Sequence, residues 1–225
     1  MGNEKSVLRW GGLAGMLGAI FFILTAVTLL ALVPPEPANP EGLVMRFPED
    51  RAAIAVGESL YLVAVILWVT LFLALYRALR GTSVAPALFG SGLGLVGLVV
   101  LAAGALPNVA FAAISDLYHA PGATPEEQAT LVLMWQATQG IFNETDTVGF
   151  LLMAIGFIVL GVAMLGSPAF GKRFGGVSVV LGVAVVVGMS IFGVDSDLIF
   201  PFVLIAFIIF PLLFGWKLYS LSKAA

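Results

Sequence analysis

Polar side chains that could bind a ligand gather in one stretch of this chain, residues 135–147, between apolar regions. Four of them recur at spacings of three and four residues, so a continuous helix places them on one face. These four are Gln136, Gln139, Asn143 and Asp146. Because amide and carboxylate oxygens accept hydrogen bonds from cationic groups, we predict a site for a cation, an amine or a lipid headgroup.

Four further carboxylates lie at or near the same depth, if about 20 residues are counted outward from the basic end of each span. They are Glu58, Glu144, Asp195 and Asp197. Glu58 stands in the apolar stretch 53–67, where an ionisable side chain is costly and is a functional candidate. The alternatives are that the carboxylates are solvated loop ends and the amides only join helices, and that Glu58 pairs with Arg51, seven residues earlier.

Several kinds of catalytic site are excluded by composition. The chain has no cysteine and a single histidine, His119, which removes thiol nucleophiles, His-rich metal sites and a haem held by two histidines. Intramembrane proteolysis would need a serine together with a histidine, or a pair of membrane-embedded aspartates, and the sequence indicates neither set. We expect no cofactor and lean against an enzyme. One alternative stays open, an acid-only divalent-cation site built from Glu144, Asp146, Asp195 and Asp197.

The elements that must hold these residues are transmembrane helices. Hydrophobic residues make up 60% of the chain and charged residues 10%, against roughly 45 to 50% and about 25% in soluble proteins. Since lipid offers the backbone no hydrogen-bond partner, apolar runs of about 20 residues cross it as helices. We predict an all-α polytopic bundle that forms one domain over residues 1–225. The six predicted spans are 13–33, 52–76, 85–106, 147–165, 175–194 and 199–219.

Two segments outside the spans carry their own predictions. Thr124-Pro125-Glu126-Glu127 combines a threonine cap, proline at the first helical position and glutamate three residues after the cap, which is typical of a helix start. The mixed polarity of residues 125–142 predicts an extra helix at the interface or packed over the bundle. The second spanning helix is expected to begin at Pro48, after an extended loop over 34–47.

Basic and acidic residues occupy opposite ends of the predicted spans. One set of ends carries eight of the ten basic residues and one acid, Glu4, whereas the other carries Arg46 and Arg51 with the other twelve acids. By the positive-inside rule the basic ends face the cytoplasm. We therefore predict that both termini are cytoplasmic.

Three stretches carry a resemblance to a known group of sequences. They are 11–15 (Gly-Gly-Leu-Ala-Gly), 74–79 (Ala-Leu-Tyr-Arg-Ala-Leu), and 149–166 followed by Ser-Pro-Ala-Phe-Gly. In these the chain resembles uncharacterised bacterial six-helix integral membrane proteins that are grouped as a domain of unknown function. The resemblance implies a six-helix fold and a location in the bacterial plasma (inner) membrane. It implies no activity and no site residues.

The first function that these features favour is the binding or transport of a lipid or a small amphipathic or cationic ligand in an outward-facing pocket. The alternative is a non-catalytic partner or assembly subunit of a larger membrane complex, and an acidic-site, metal-dependent membrane enzyme is third. The expected partners are the lipid bilayer, a bound lipid or small molecule, and another membrane protein or a second copy of the chain. No feature indicates nucleic acid.

Overall fold

The computed structural model describes residues 2–35, 37, 39–192 and 200–224. Within them the chain forms seven α-helices and no β-strand. The helices are α1 (Gly2–Leu32), α2 (Pro40–Leu79), α3 (Val84–Gly104), α4 (Pro107–Tyr118), α5 (Pro125–Leu165), α6 (Gly171–Phe192) and α7 (Phe200–Ala224). Six helical segments in this part are long and apolar enough to cross a membrane, with α3 and α4 together counting as one. The all-α, six-helix prediction is confirmed.

The second helix begins at Pro40, so the predicted start at Pro48 and the extended loop over 40–47 are wrong. The Asn39 side chain caps the helix by accepting a hydrogen bond from the Gly42 amide at 3.1 Å, and Pro40 occupies the first turn, where its missing amide costs nothing. Pro48 then lies inside the helix. It cannot donate to the carbonyl of Val44, one turn earlier.

A hydroxyl from another helix replaces the donor that Pro48 lacks. Ser115 of α4 is buried, and its Oγ donates to the Val44 carbonyl oxygen at 3.4 Å. A buried carbonyl without a donor costs about 1–3 kcal/mol. The proline is therefore tolerated in the helix because α4 packs against it.

The Ser115→Ala variant should lower the free energy of unfolding of this region by about 1–3 kcal/mol, because the Val44 carbonyl loses its donor. Hydrogen exchange of α2 amides near residue 48 measures the change. In a Pro48→Ala background the new backbone amide serves Val44, so the same serine substitution should cost little. An equal cost in both backgrounds would show that Ser115 does not compensate for the proline.

The extra helix predicted near 125–142 is the first half of α5, and it continues into the span without a break. Thr124 and Glu127 form the expected capping box: the Thr124 hydroxyl accepts from the Glu127 amide at 3.3 Å, and the Glu127 carboxylate accepts from the Thr124 amide at 2.8 Å. The Thr124 amide, together with the Thr124 hydroxyl, which also donates to this carboxylate at 3.0 Å, holds the pKa of the Glu127 carboxyl below its usual value; this residue lies beyond the membrane-spanning part. The prediction of a separate interfacial helix is corrected to one long helix.

Helices α2 and α5 contain 40 and 41 residues. At 1.5 Å per residue each is about 60 Å long, whereas the hydrocarbon core of a bilayer is about 30 Å thick. Both helices therefore project beyond the membrane at the end opposite the chain termini. We call this the acidic end, and the end with the termini the basic end.

A second apolar cluster forms where the projecting helices meet α4. Its buried members are Val44, Phe47, Phe111, Ile114, Tyr118 and Trp135. The Trp135 ring lies 4.4 Å from the Phe111 ring and 5.2 Å from the Phe47 ring, centroid to centroid. The Tyr118 hydroxyl also donates to the Glu41 carboxylate at 3.0 Å. Residues 40–54, 107–118 and 125–135 thus form a small structure with its own core, which we call the cap.

The bundle divides into two halves of three helices. In the first half α1 lies between α2 and α7, and in the second α5 lies between α3 and α6. Within each half the backbones approach closely at glycines. A Cβ on Gly12 would lie 2.6 Å from the Gly215 carbonyl oxygen, and one on Gly161 would lie 2.8 Å from that of Gly175. Small residues at helix contacts permit this approach.

Between the halves the close backbone contacts are fewer, and side chains fill the space. Phe157 of α5 stacks on Phe210 of α7 with ring centroids 3.7 Å apart, and on Phe72 of α2 at 6.3 Å. We call this layer of side chains the seam. It contains an apolar crevice that is too narrow for a water molecule. The crevice is lined by Trp68, Leu71, Phe72, Met153, Phe157, Phe207, Phe210 and Pro211.

Candidate functional site

Four polar side chains come together where the seam reaches the acidic end. Glu58 and Tyr61 stand one turn apart on α2, Asn108 begins α4, and Asp146 lies on α5. The Asn108 side chain lies beside the Glu58 carboxylate, and the Tyr61 hydroxyl is within electrostatic reach of both Glu58 and Asp146. Asp146 Oδ1 lies close to Gly104, where a Cβ would be 3.0 Å away. We call these four side chains the carboxylate site.

Tyr61 is the least exposed member of the site, with 9% of its surface accessible. Its ring packs against Phe22 of α1, with centroids 6.2 Å apart. Its hydroxyl is buried and has no hydrogen-bond partner among the described residues. A buried hydroxyl left without a partner costs about 1–3 kcal/mol. Such a group beside two carboxylates indicates a place where a further polar or charged partner can bind.

The two basic residues at the acidic end are engaged elsewhere. Arg46 pairs with Asp50 at 2.6 Å and donates to the carbonyl oxygens of Pro34 and Pro35 at 2.9 and 2.8 Å. Arg51 pairs with Asp116 of α4 at 3.0 Å. The expected alternative, in which Arg51 pairs with Glu58, is therefore not formed. The other eight basic residues of the sequence lie at the basic end, so no lysine or arginine lies in the carboxylate site.

Of the other predicted site residues on α5, two are half-buried and two are exposed. Gln139 donates to Asn143 at 2.9 Å, and both are half-buried on α5 in the turns before Asp146. Gln136 and Glu144 are exposed on the surface of the same helix. The structure thus places Glu58 and Asp146 both within electrostatic reach of the Tyr61 hydroxyl and leaves Gln136 and Glu144 exposed.

Asp195 and Asp197 lie outside the described residues, as does the short connection predicted there. Among the residues that the structure describes, no three His, Cys, Asp or Glu side chains stand close enough together to hold a metal ion. Glu144 and Asp146 are the two members of the predicted acid-only metal site that the structure describes. No third acidic or histidine side chain joins them among the described residues.

Tyr61 and Asn108 were not among the predicted ligand residues. Tyr61 follows Glu58 by three residues on one helix, a spacing that places the two on the same face. A tyrosine on the same face as a membrane carboxylate is the signal that could have identified it.

A family model for a domain of unknown function, DUF4386, matches residues 35–219, which include the whole carboxylate site. The chain belongs to this family. The resemblance to a group of uncharacterised membrane proteins is thereby confirmed. No curated protein and no solved structure matches the chain. Membership covers α2 to the end region of α7 and assigns no activity to the site.

Proposed function

We propose that the protein binds a small positively charged group at the carboxylate site, either a monovalent cation or the ammonium of an amphipathic ligand or lipid. The observation that carries the proposal is the Tyr61 hydroxyl, buried without a hydrogen-bond partner among the described residues and facing Glu58 and Asp146. Phenol, carboxylate and amide oxygens together form an acceptor set for such a group. Both arginines at this end are held by other carboxylates.

Electrostatics supports the same ligand class. Glu58 is half-buried beside apolar residues, and burying a carboxylate is costly unless an opposite charge or hydrogen bonds compensate. The Asn108 side chain lies beside the carboxylate, but its amide nitrogen forms no hydrogen bond with any described residue. A bound ammonium or monovalent cation supplies the positive charge that no side chain provides there.

The test uses the purified protein in detergent. Native mass spectrometry, with identification of extracted lipids and metabolites, detects an amphipathic amine. Thermal unfolding in sodium, potassium or methylammonium chloride detects a free cation, since a ligand at about 100 times its Kd stabilises by about 2.7 kcal/mol. Glu58→Gln and Asp146→Asn should abolish the adduct or the salt effect, whereas Glu144→Gln, an exposed carboxylate on the same helix, should keep it.

Tyr61→Phe distinguishes binding from folding. It removes a buried hydroxyl that has no hydrogen-bond partner among the described residues, so the ligand-free protein should be at least as stable as before. Affinity should fall roughly ten- to a hundredfold, because a hydrogen bond to a charged group contributes about 1.5–3 kcal/mol. If the Glu58, Tyr61 and Asp146 variants all match the wild-type protein in ligand content and in unfolding in every salt, the proposal is wrong.

We further propose that the basic end faces the cytoplasm of a bacterial cell and the acidic end faces outward, as the positive-inside rule predicts. Because the chain has no cysteine, single thiols report this directly. An Ala137→Cys thiol on the projecting part of α5 should react with a membrane-impermeant maleimide on intact cells. A Lys172→Cys thiol should react only after lysis. The reverse pattern would invert the topology.

A specific surface favours the alternative function, a subunit of a membrane complex. The projecting part of α5 exposes large apolar side chains: Leu133, Met134 and Ile141 are 65%, 50% and 61% exposed. An apolar face beyond the bilayer favours a protein partner. The same mass measurement tests it: a larger assembly that Leu133→Glu dissociates, with no adduct sensitive to Glu58, would favour the subunit.

A further inference from the structure

The carboxylate site takes its members from both halves of the bundle. Glu58 and Tyr61 belong to α2 in the first half, whereas Asp146 belongs to α5 in the second, and Asn108 lies on α4, which contacts both α2 and α5. A charged group bound there touches both sides of the seam. Any movement of one half against the other therefore changes the site itself.

The seam is built so that it can separate more readily than either half. The contacts inside each half are close backbone approaches, such as Gly12 to Gly215 and Gly161 to Gly175. Across the seam the contacts join side chains, with the Phe157 ring against those of Phe207 and Phe210 at 5.2 and 3.7 Å. Parting the halves along this layer separates ring contacts and preserves both sets of close helix pairs. Rigid-body motion at such a surface is a standard form of conformational change.

A second orphaned polar group lies deeper in the seam. Trp68 follows Tyr61 by seven residues on the same face of α2, about 10 Å further toward the basic end. It is 1% exposed, lines the crevice, and its indole nitrogen has no hydrogen-bond partner among the described residues. The nitrogen lies on the α1 side of the ring, 2.6 Å from the position that a Cβ on Gly18 would occupy, so opening the seam is expected to bring water first to the Tyr61 hydroxyl. Hydrating that hydroxyl would relieve a polar cost of the closed state.

We infer that the two halves part along the seam toward the basic end, so that a cationic group bound at the carboxylate site crosses the membrane and the protein is a transporter. This inference rests on the proposed function. The crevice between Leu71, Met153 and their aromatic neighbours is the closed form of the path. The cation moves between the acidic and basic ends as one half rocks against the other.

Single thiols in the cysteine-free chain test the opening. Leu71→Cys places a thiol in the crevice, where Leu71 is 1% exposed. Leu160→Cys is the matched control, since Leu160 is 0% exposed but faces Gly90 inside the second half. The protein is reconstituted in liposomes and treated with a trimethylammonium methanethiosulfonate. Met153→Cys, also in the crevice, is the second variant if Leu71→Cys does not fold.

We expect the crevice thiol to be labelled slowly but completely and the control thiol at residue 160 not to be labelled. With an open state populated at about 1%, the crevice thiol reacts about a hundredfold more slowly than the exposed Ala137→Cys thiol. The Leu160→Cys thiol stays unmodified over the same time. Radiolabelled sodium and methylammonium serve as transport probes, and at least one should enter liposomes that contain wild-type protein and not those with the Glu58→Gln variant.

Two outcomes overturn the inference: one leaves the proposed binding function intact, and the other contradicts that function as well. If both crevice thiols are as unreactive as Leu160→Cys while Glu58-dependent binding persists, the site is static and only the proposed function survives. If no probe or adduct depends on Glu58, the proposed function fails and the inference fails with it, whatever the labelling shows.

Discussion

Replacing Trp135 by alanine is expected to unfold the cap while the transmembrane bundle stays folded. Trp135 is 4% exposed and lies at the centre of the cap cluster, against Phe47 and Phe111. Removing a buried tryptophan costs about 3–5 kcal/mol, from lost burial and from the cavity that remains. The cap core is separate from the core of the bundle, so the loss falls on a small structure.

Hydrogen exchange resolved by segment measures this effect. Amides of α4 and of residues 125–135 should exchange roughly a hundredfold faster or more, at about 1.4 kcal/mol per factor of ten, and those of residues 147–165 should not change. Trp135→Phe is the control: the indole nitrogen has no hydrogen-bond partner among the described residues, so an aromatic ring alone should preserve most of the protection. A uniform loss throughout α5 would mean that cap and bundle unfold together.

The cap also shows what a sequence pattern cannot reveal. The helix start at Thr124 depends on four neighbouring residues, and it was predicted correctly. The predicted start of α2 at Pro48 follows from the preference for proline and acidic residues in the first turn of a helix, here with Glu49 and Asp50. What permits Pro48 is the Ser115 hydroxyl, 71 residues from Val44 in the sequence. Local rules fail where a distant segment supplies the missing donor.

The candidate site divides in the same way. Glu58 was found because an ionisable group in an apolar stretch is costly wherever the chain folds, and Asp146 because it shares a helical face with three amides. The spacing of Arg51 and Glu58 suggested a local pair, but Arg51 pairs with Asp116, 65 residues away. Hydropathy locates helices in a membrane and leaves open which helices are neighbours. The role of Tyr61 between Glu58 and Asp146 can therefore be recognised only once α2 and α5 are known to be neighbours.

Replacing Gly12 by alanine is expected to disrupt the first half of the bundle. A Cβ at this position would lie 2.6 Å from the Gly215 carbonyl oxygen and 2.7 Å from the Tyr219 amide nitrogen, so backbone atoms of α7 must move. Overpacking of this kind costs about 1–3 kcal/mol, and more where backbone rather than side chain must yield. The partner substitution, Gly215→Ala, meets the Gly12 carbonyl oxygen at 2.8 Å and should have a similar effect.

Gly92→Ala is the matched control, because a Cβ there meets nothing within 4 Å. In that helix interior alanine is favoured over glycine by about 0.5–1 kcal/mol, so the variant should be at least as stable as the wild type. Thermal unfolding in one detergent compares the three proteins. Equal stability of Gly12→Ala and Gly92→Ala would show that α1 and α7 are not locked at this contact. The inference of two rigid halves requires that helices within a half are harder to separate than the two halves are along the seam. Equal stability of the two variants would remove the evidence for this difference.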